Sequence, residues 1–314
     1  MEDQIPLLFN HGSYDHDVLK TLCDKSSEYL GLSGSFSGRV VLLKPNLISG
    51  RAKPLACTDA RFVKAIAEWF VDKGARVLIG DSPAFGSGEQ VLNKQGIADA
   101  IKALPVEIIE FKNSREHYLS HDVKVGISEQ VLSCDLLVNL PRIKAHSQMY
   151  VTIAVKNFYG IVCGMQKAMC HMRNGSSHLK FADLMLDLTS IVPESVSIVD
   201  GIDIMHKQGP VNGELLKWGC FCAGKDPVAV DTALLEALQL EHKQCPVWLA
   251  ADRRELPGSR IENCCFPHLS PEKFFGSGFV APSLLNPVPF NPFRFMVSSF
   301  RRAIGGMSRG VGIH

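Results

Sequence analysis

The sequence is short of several things, and each shortage removes a class of function. There is no surplus of charge: 33 Lys and Arg against 32 Asp and Glu leave a net charge of +1. Binding to a phosphodiester backbone rests on a surplus of cations, so nucleic acid is not an expected partner. No apolar run approaches the ~20 residues that a membrane-spanning helix requires, so no transmembrane segment is expected. Glu2 and Asp3 stand where a secretion signal carries basic residues, which makes the cytoplasm the expected location. The ten cysteines, at 23, 57, 134, 163, 170, 220, 222, 245, 264 and 265, never take the C-x-x-C spacing that lets two thiolates grip one zinc or one cluster iron. They read as buried, reduced thiols, and no metal ligands are assigned. The pattern G-x-x-x-x-G-K-[ST] is missing, and Gly80, Gly86 and Gly88 do not fit G-x-G-x-x-G. Ser82 has no G-x-S-x-G elbow around it, which disfavours a hydrolase nucleophile.

What is present is the alternation of an α/β domain. Arg39–Leu43, Arg76–Gly80, Val106–Phe111, Asp135–Leu140 and Ser195–Val199 are continuous apolar runs of strand length. Such runs suit strands buried on both faces of a mostly parallel sheet flanked by helices, a Rossmann-like layout. Helices are expected over 18–30, over 60–72 behind the cap Thr58-Asp59, over 89–104, over 177–188, and from Asp226 to about 240. In the last of these Asp226 is the N-cap and Pro227 the first helical residue. Residues 122–127 alternate like one strand of a side hairpin, and 215–223 reads as a strand. The expected α/β domain covers 1–255. Residues 256–314 then form an irregular arm rich in Pro and Phe, ending in a basic segment with Arg294, Arg301, Arg302 and Arg309.

The stretch from Asn139 to His171 contains no acidic residue. It carries Lys144, His146, Lys156, Asn157, Lys167 and His171 among apolar residues and glycines. One reading is that the lysines snorkel from a surface. The other is that they line a cleft for an anion, and the strand ends favour it. Lys44 and Asn46, Asp81 and Ser82, Lys144 and His146, and Asp200 each follow an apolar run, and the C-terminal edge of a parallel sheet is where such folds bind ligands.

The order and spacing of Lys44-Pro45-Asn46, Gly80-Asp81-Ser82-Pro83, Asn139 to His146, Ala154 to Gly160, Lys167 with His171, Val199-Asp200-Gly201, Gln208-Gly209-Pro210 with Gly213, and Asp226 to Asp231 resemble the family called domain of unknown function 362. The resemblance covers about residues 38–241. It implies an α/β fold and a site at these motifs, but no assigned reaction. Many members carry ferredoxin-type cysteine runs; this chain has none, so no cluster ligands are carried over. In layout the chain is also similar to the N-terminal domain of nickel-pincer lactate racemases, where lysine and histidine on an α/β scaffold surround a small acid.

These residue types suggest a division of labour. Lys44, Lys156 and Lys167, with Asn46, Asp81, Ser82, Asn157 and Asp200, are the candidate binding groups for a small carboxylate or phosphate. Lys144, His146 and His171 are the candidate catalytic groups: imidazole titrates nearest neutrality, and crowded ammonium groups lower one another's pKa. The expected function is an uncharacterised enzyme acting on a small anion, with no cofactor specified. The alternative is an iron–sulfur-associated redox accessory, or a metal-binding module using His146, His171, Cys163 and Cys170. A redox partner or a second copy of the chain are the partner classes this leaves open.

Overall fold

A computed structural model describes residues 4–163 and 177–286. Lys167, His171, Cys170 and the basic segment with Arg294, Arg301, Arg302 and Arg309 lie outside the described residues. The strands are β1 Ile5–His11, β2 Val40–Pro45, β3 Arg76–Ile79, β4 Val106–Ile108, β5 Ser114–Leu119, β6 Val123–Ser128, β7 Leu136–Leu140, β8 Arg142–His146, β9 Tyr150–Thr152, β10 Ser195–His206, β11 Glu214–Gly224 and β12 Cys264–Cys265. The helices are α1 His16–Leu30, α2 Ala60–Asp72, α3 Gly88–Lys94, α4 Ile97–Ile101, α5 Glu129–Ser133, α6 Ala154–Asn157, α7 His178–Ile191, α8 Pro227–Ala237 and α9 Pro246–Arg253.

The main sheet has ten strands along the order β12-β1-β11-β10-β7-β2-β3-β4, with β8 on β10 and β9 on β8. From β4 to β10 the pairing is parallel; β11 and β1 add antiparallel strands. The mostly parallel α/β fold read from the apolar runs is therefore the fold observed. In β2, Val41 and Leu43 belong to the core under α1 and α2, while Leu42 belongs to the core on the opposite face. Both faces of the sheet are thus covered, which is why these strands are apolar throughout rather than alternating. Caps fix the helix starts: Asp59 accepts from Arg61 N, and Asp226 Oδ1 accepts from Val228 N at 2.8 Å.

Three expectations change. The single helix over 89–104 is two short helices, because Gly96 takes φ 73 between them. The strand expected to stop at Val199 runs on to His206. It pairs there with β11 and β8 and shifts register between Gly201 and Asp203. Asp200 is accordingly inside a strand, at a bulge, and not at a strand exit. Lys144 and His146 likewise sit on a strand, β8, that continues from β7 after Pro141.

Residues 114–128 form the side hairpin β5–β6. From 256 to 286 the chain is a series of short turns, with Cys264–Cys265 pairing alongside β1. Among the described residues no helix is long and apolar enough to cross a membrane.

Candidate functional site

Strand β8 alternates. Ile143 and Ala145 join the hydrophobic core, so Arg142, Lys144 and His146 fall on the other face of the same strand. All three are buried. The two cations on this face of a buried strand, Arg142 and Lys144, need either counter-charges or a ligand, because an unpaired buried charge is expensive.

Arg142 has its counter-charge. Its Nε donates to Asp203 O at 2.7 Å and lies 3.6 Å from Asp200 Oδ2; Nη1 donates to Cys57 O at 3.0 Å. Nη2 donates to the Tyr14 hydroxyl at 2.9 Å, which in turn donates to Asp200 Oδ1 at 2.8 Å. Asp200 Oδ2 also accepts from Asp59 N at 3.1 Å. Burial raises the pKa of Asp200, and Arg142 and Tyr14 pull it back. Burial, followed by the Asp200 charge, raises that of Tyr14. Arg142 carried no expectation, and its role follows only from the strand it lies on.

Lys44 also has its counter-charge. Its Nζ is 2.7 Å from Asp81 Oδ1, with both side chains buried. The approach is that of an ion pair, too bent for a good hydrogen bond at that oxygen. Asp81 Oδ2 accepts from Leu47 N at 3.2 Å. Burial lowers the Lys44 pKa, and Asp81 opposes the shift. The pair is roofed by the turn after α6: a Cβ on Gly160 would overlap both Asp81 Oδ1 and Lys44 Nζ. Ser82 joins the same roof through its backbone, with N donating to Gly160 O at 2.9 Å.

Lys144 is different. It is 1% exposed, and its Nζ donates to Asn46 Oδ1 and to Ala56 O. Both acceptors are neutral. Among the described residues no carboxylate makes an ion pair with it. Burial lowers its pKa from the usual lysine value to about 8; the charges of Cys57 and of Asp81, which is no ion-pair partner, oppose the fall, and those of Arg142 and Lys44 add to it. Asn46 is itself held: its Nδ2 donates to Asn157 Oδ1 at 2.7 Å, and Asn157 Nδ2 donates to Asn139 Oδ1 at 2.8 Å. Asn139 then donates to Ser197 Oγ at 3.0 Å and Ala154 O at 3.1 Å. A ladder of amides thus runs under Lys144 from β10 through β7 to the loop after β2.

His146 lies two residues along from Lys144. Its Nδ1 accepts from Gln148 N and Met149 N, both at 3.2 Å, which places the proton of the neutral ring on Nε2. Across the hairpin, Tyr150 takes φ 70, a left-handed value that bulky residues rarely adopt. Thr152 pairs with Lys144 across the same hairpin, and its buried hydroxyl has no partner among the described residues. Lys156 is half-buried on α6.

The amide ends of α6 meet a carboxylate from elsewhere in the chain. Asp231 Oδ1 accepts from Ala154 N at 2.7 Å and Val155 N at 3.3 Å. On α8, Asp231 faces inward, and it is backbone N–H groups that satisfy it. Burial still pushes its pKa up to about 8.

The structure therefore brings Lys44, Asn46, Asp81, Lys144 and Asn157 into one connected network, with Ser82 above it. Asp200 belongs to the neighbouring Arg142 cluster. Sequence reasoning missed Arg142, Tyr14, Asn139 and Thr152. Asn139, a polar residue inside an apolar strand, was the one with a usable signal. The described thiols fit the expectation of buried cysteines: Cys23, Cys57, Cys134, Cys220, Cys222, Cys245 and Cys264 are buried, and burial raises their pKa values.

Residues 41–236, which contain this whole network except Tyr14, match the family described as Domain of unknown function (DUF362). The chain belongs to that family. Over 298 residues it is 31% identical to a thylakoid-associated protein of Synechocystis sp., covering 94% of this chain and 92% of the relative. This DUF362 chain is also similar to two solved structures. One is the lactate racemase apoprotein of Thermoanaerobacterium thermosaccharolyticum, at 12% identity and TM-score 0.45, covering 72% of this chain. The other is a protein from Thermotoga maritima, at 11% identity and TM-score 0.42, covering 66% of this chain. The chain spans 56% of the length of each of those structures.

Proposed function

We propose that this DUF362 chain is an enzyme acting on a small anionic substrate, a carboxylate or a phosphate, and that Lys144 is the group that meets the anion. One observation carries the reading. Among the described residues, buried Lys44 and Arg142 stand beside carboxylates, whereas buried Lys144 donates to the neutral acceptors Asn46 Oδ1 and Ala56 O and makes no ion pair. A buried ammonium without a counter-charge is relieved either by losing its proton or by gaining an anion. A substrate carboxylate or phosphate would supply the missing charge and raise the Lys144 pKa from about 8.

His146, with its proton directed to Nε2, is the proton-transfer candidate on the same face. Asn46 and Asn157 hold the amide ladder beneath the ammonium, while Lys44 with Asp81 builds the frame. Lys156, Lys167 and His171 remain proposed members of the site.

The test is a thermal-shift titration of the full chain with phosphate, acetate and larger carboxylates. Binding to the folded state alone raises the midpoint in proportion to ln(1 + [L]/Kd). At least one anion should stabilise the wild-type chain and leave Lys144→Met unshifted, with the variant still folded. The proposal falls if no anion shifts the wild type, or if Lys144→Met responds equally. Visible absorbance and stoichiometric iron in anaerobically purified protein would favour the iron–sulfur accessory instead. The location is a second question. The Synechocystis relative is named as thylakoid-associated, and cell fractionation tests whether this chain shares that association.

A further inference from the structure

At the end of β8, immediately past His146, three segments enclose a groove of about 430 Å³. Ser147 forms one side, Lys207-Gln208-Gly209 the second, and Pro282–Leu284 with Asn286 the third. Each wall is tied to another by the backbone. Ser147 N donates to Gly209 O at 3.3 Å, Asn286 N donates to Ser147 O at 2.7 Å, and Lys207 N donates to Val280 O at 2.8 Å. The close approach of the second wall to β8 requires glycine, because a Cβ on Gly209 would overlap Ala145 O. The groove is thus preformed, and of a size that takes small molecules. It also gives a use to two features that the anion network leaves idle: the Gln208-Gly209-Pro210 motif and the C-terminal arm.

Most of its lining residues are polar, although more of the surface they present is apolar, and it carries no free charge. Lys207 is already paired with Glu214, Nζ to Oε2 at 2.7 Å. What remains is the hydroxyl and amide chemistry of Ser147, Gln208, Ser283 and Asn286, with Pro282 and Leu284 as apolar surface. Such a lining suits a neutral chain that offers C–H surface as well as hydroxyls, as a polyol tail does, and not a second anion.

We propose that the groove is the outer subsite for the substrate of the Lys144 site, and that the substrate is an elongated acid with a hydroxylated tail. The anionic head goes toward Lys144, the reacting portion lies by His146, and the tail occupies the groove. Residues 144 to 147 span about 10 Å of strand, which sets the scale of the molecule. This inference rests on the anion-site reading and adds the class of substrate. It also makes the arm, through Pro282–Asn286, a wall of the site.

Three probes separate the parts: acetate, hexanoate and gluconate, titrated into the full chain by calorimetry. They offer a head alone, a head with an apolar tail, and a head with a hydroxylated tail of the same length. Gluconate should bind on the order of tenfold more tightly than either of the others, the worth of one or two extra hydrogen bonds. Ser283→Trp, at an exposed position, fills the groove without touching the core. It should abolish the gluconate advantage, leave acetate binding and the thermal midpoint unchanged, and be matched in part by Gln208→Ala. If gluconate binds no better than acetate, or keeps its advantage in Ser283→Trp, the groove proposal is overturned while the anion site stands. If hexanoate outbinds gluconate, the hydroxylated tail is wrong. If none of the three binds wild-type protein, the anion-site reading fails and takes this one with it.

Discussion

Lys44 Nζ lies 2.7 Å from Asp81 Oδ1, and neither side chain is more than 2% exposed. Lys44 lies on β2 and Asp81 two residues past the end of its neighbour β3, so the contact locks the strand ends together beneath Gly160. This relationship assigns the first lysine of the family motif to the frame of the site. Removing one partner of a buried pair strands the other charge, at a cost of about 3–5 kcal/mol. Asp81→Leu is therefore expected to lower stability by about that much in urea melts, and the double variant Lys44→Met with Asp81→Leu to lose distinctly less. Equal losses in the single and double variants would mean that the two side chains are not coupled.

Lys144 makes a different prediction, because its folded pKa of about 8 is below the usual lysine value of 10.5. Between those two values the unfolded chain holds the proton more strongly than the folded one. Stability contributed by this residue must then rise as pH increases from about 8 to about 10.5, and be flat below 8. The full change is about 3 kcal/mol for a shift of this size. Burial raises the pKa values of Tyr14 and the thiols in the folded protein, so these groups ionise between pH 8 and 10.5 mainly in the unfolded chain and oppose the trend; the quantity to measure is therefore a difference. Wild-type stability minus that of Lys144→Met, from urea melts at intervals between pH 7 and 10.5, should climb with pH. A flat difference would place the Lys144 pKa near normal and remove the argument for an uncompensated ammonium.

The layout was legible in the sequence where one physical rule governed the residues. Leu42, Leu78 and Leu137 lie in unbroken apolar runs because both faces of a parallel sheet are covered, and those runs were read as strands. The convergence of Lys44, Asp81 and Lys144 followed from the same topology. What a pattern could not show was pairing. Nothing local distinguishes Lys44, which has an ion-pair partner, from Lys144, which has none among the described residues; the difference is made by Asp81 and Ala56, which are distant in sequence from one or both. Asp200 looked like a strand end because Gly201 follows it, and the bulge that carries the strand onward is a tertiary feature. Strand β1 went unread because Ile5–His11 is an antiparallel addition, and its partner β11 lies about two hundred residues on.

Asp231 reaches from α8 to cap α6, and α6 carries Asn157 into the amide ladder beside Lys144. Burial raises its pKa from the ordinary value of 3.8 to about 8. A raised carboxylate pKa contributes stability that is complete below pH 4 and lost as pH rises through 8. Asp231→Asn keeps a side-chain oxygen for the amides of Ala154 and Val155 but cannot ionise. It should be at least as stable as the wild type at pH 8, with the gap in its favour narrowing toward pH 4. Asp231→Ala, which removes the cap, should lose about 1 kcal/mol or more at pH 5. Were Asp231→Asn less stable than the wild type at pH 8 by more than at pH 4, the ionised carboxylate would be the capping form.

Thr152 gives a test in which removing a polar group should help the free protein. Its hydroxyl is buried opposite Lys144, without a partner among the described residues. An unsatisfied buried hydroxyl costs about 1–3 kcal/mol, whereas the valine methyl has the same shape and needs no partner. Thr152→Val should therefore unfold at higher urea concentration than the wild type, by about 1 kcal/mol. Thr152→Ser keeps the hydroxyl and loses a buried methyl, so it should be less stable than the wild type by a similar amount. Side chains directly opposite across an antiparallel pair are close enough to share a ligand. If the substrate oxygen is what the hydroxyl awaits, Thr152→Val should gain stability and lose anion affinity together. A loss of stability in Thr152→Val would show that the hydroxyl is bonded within the free fold, and would remove Thr152 from the site.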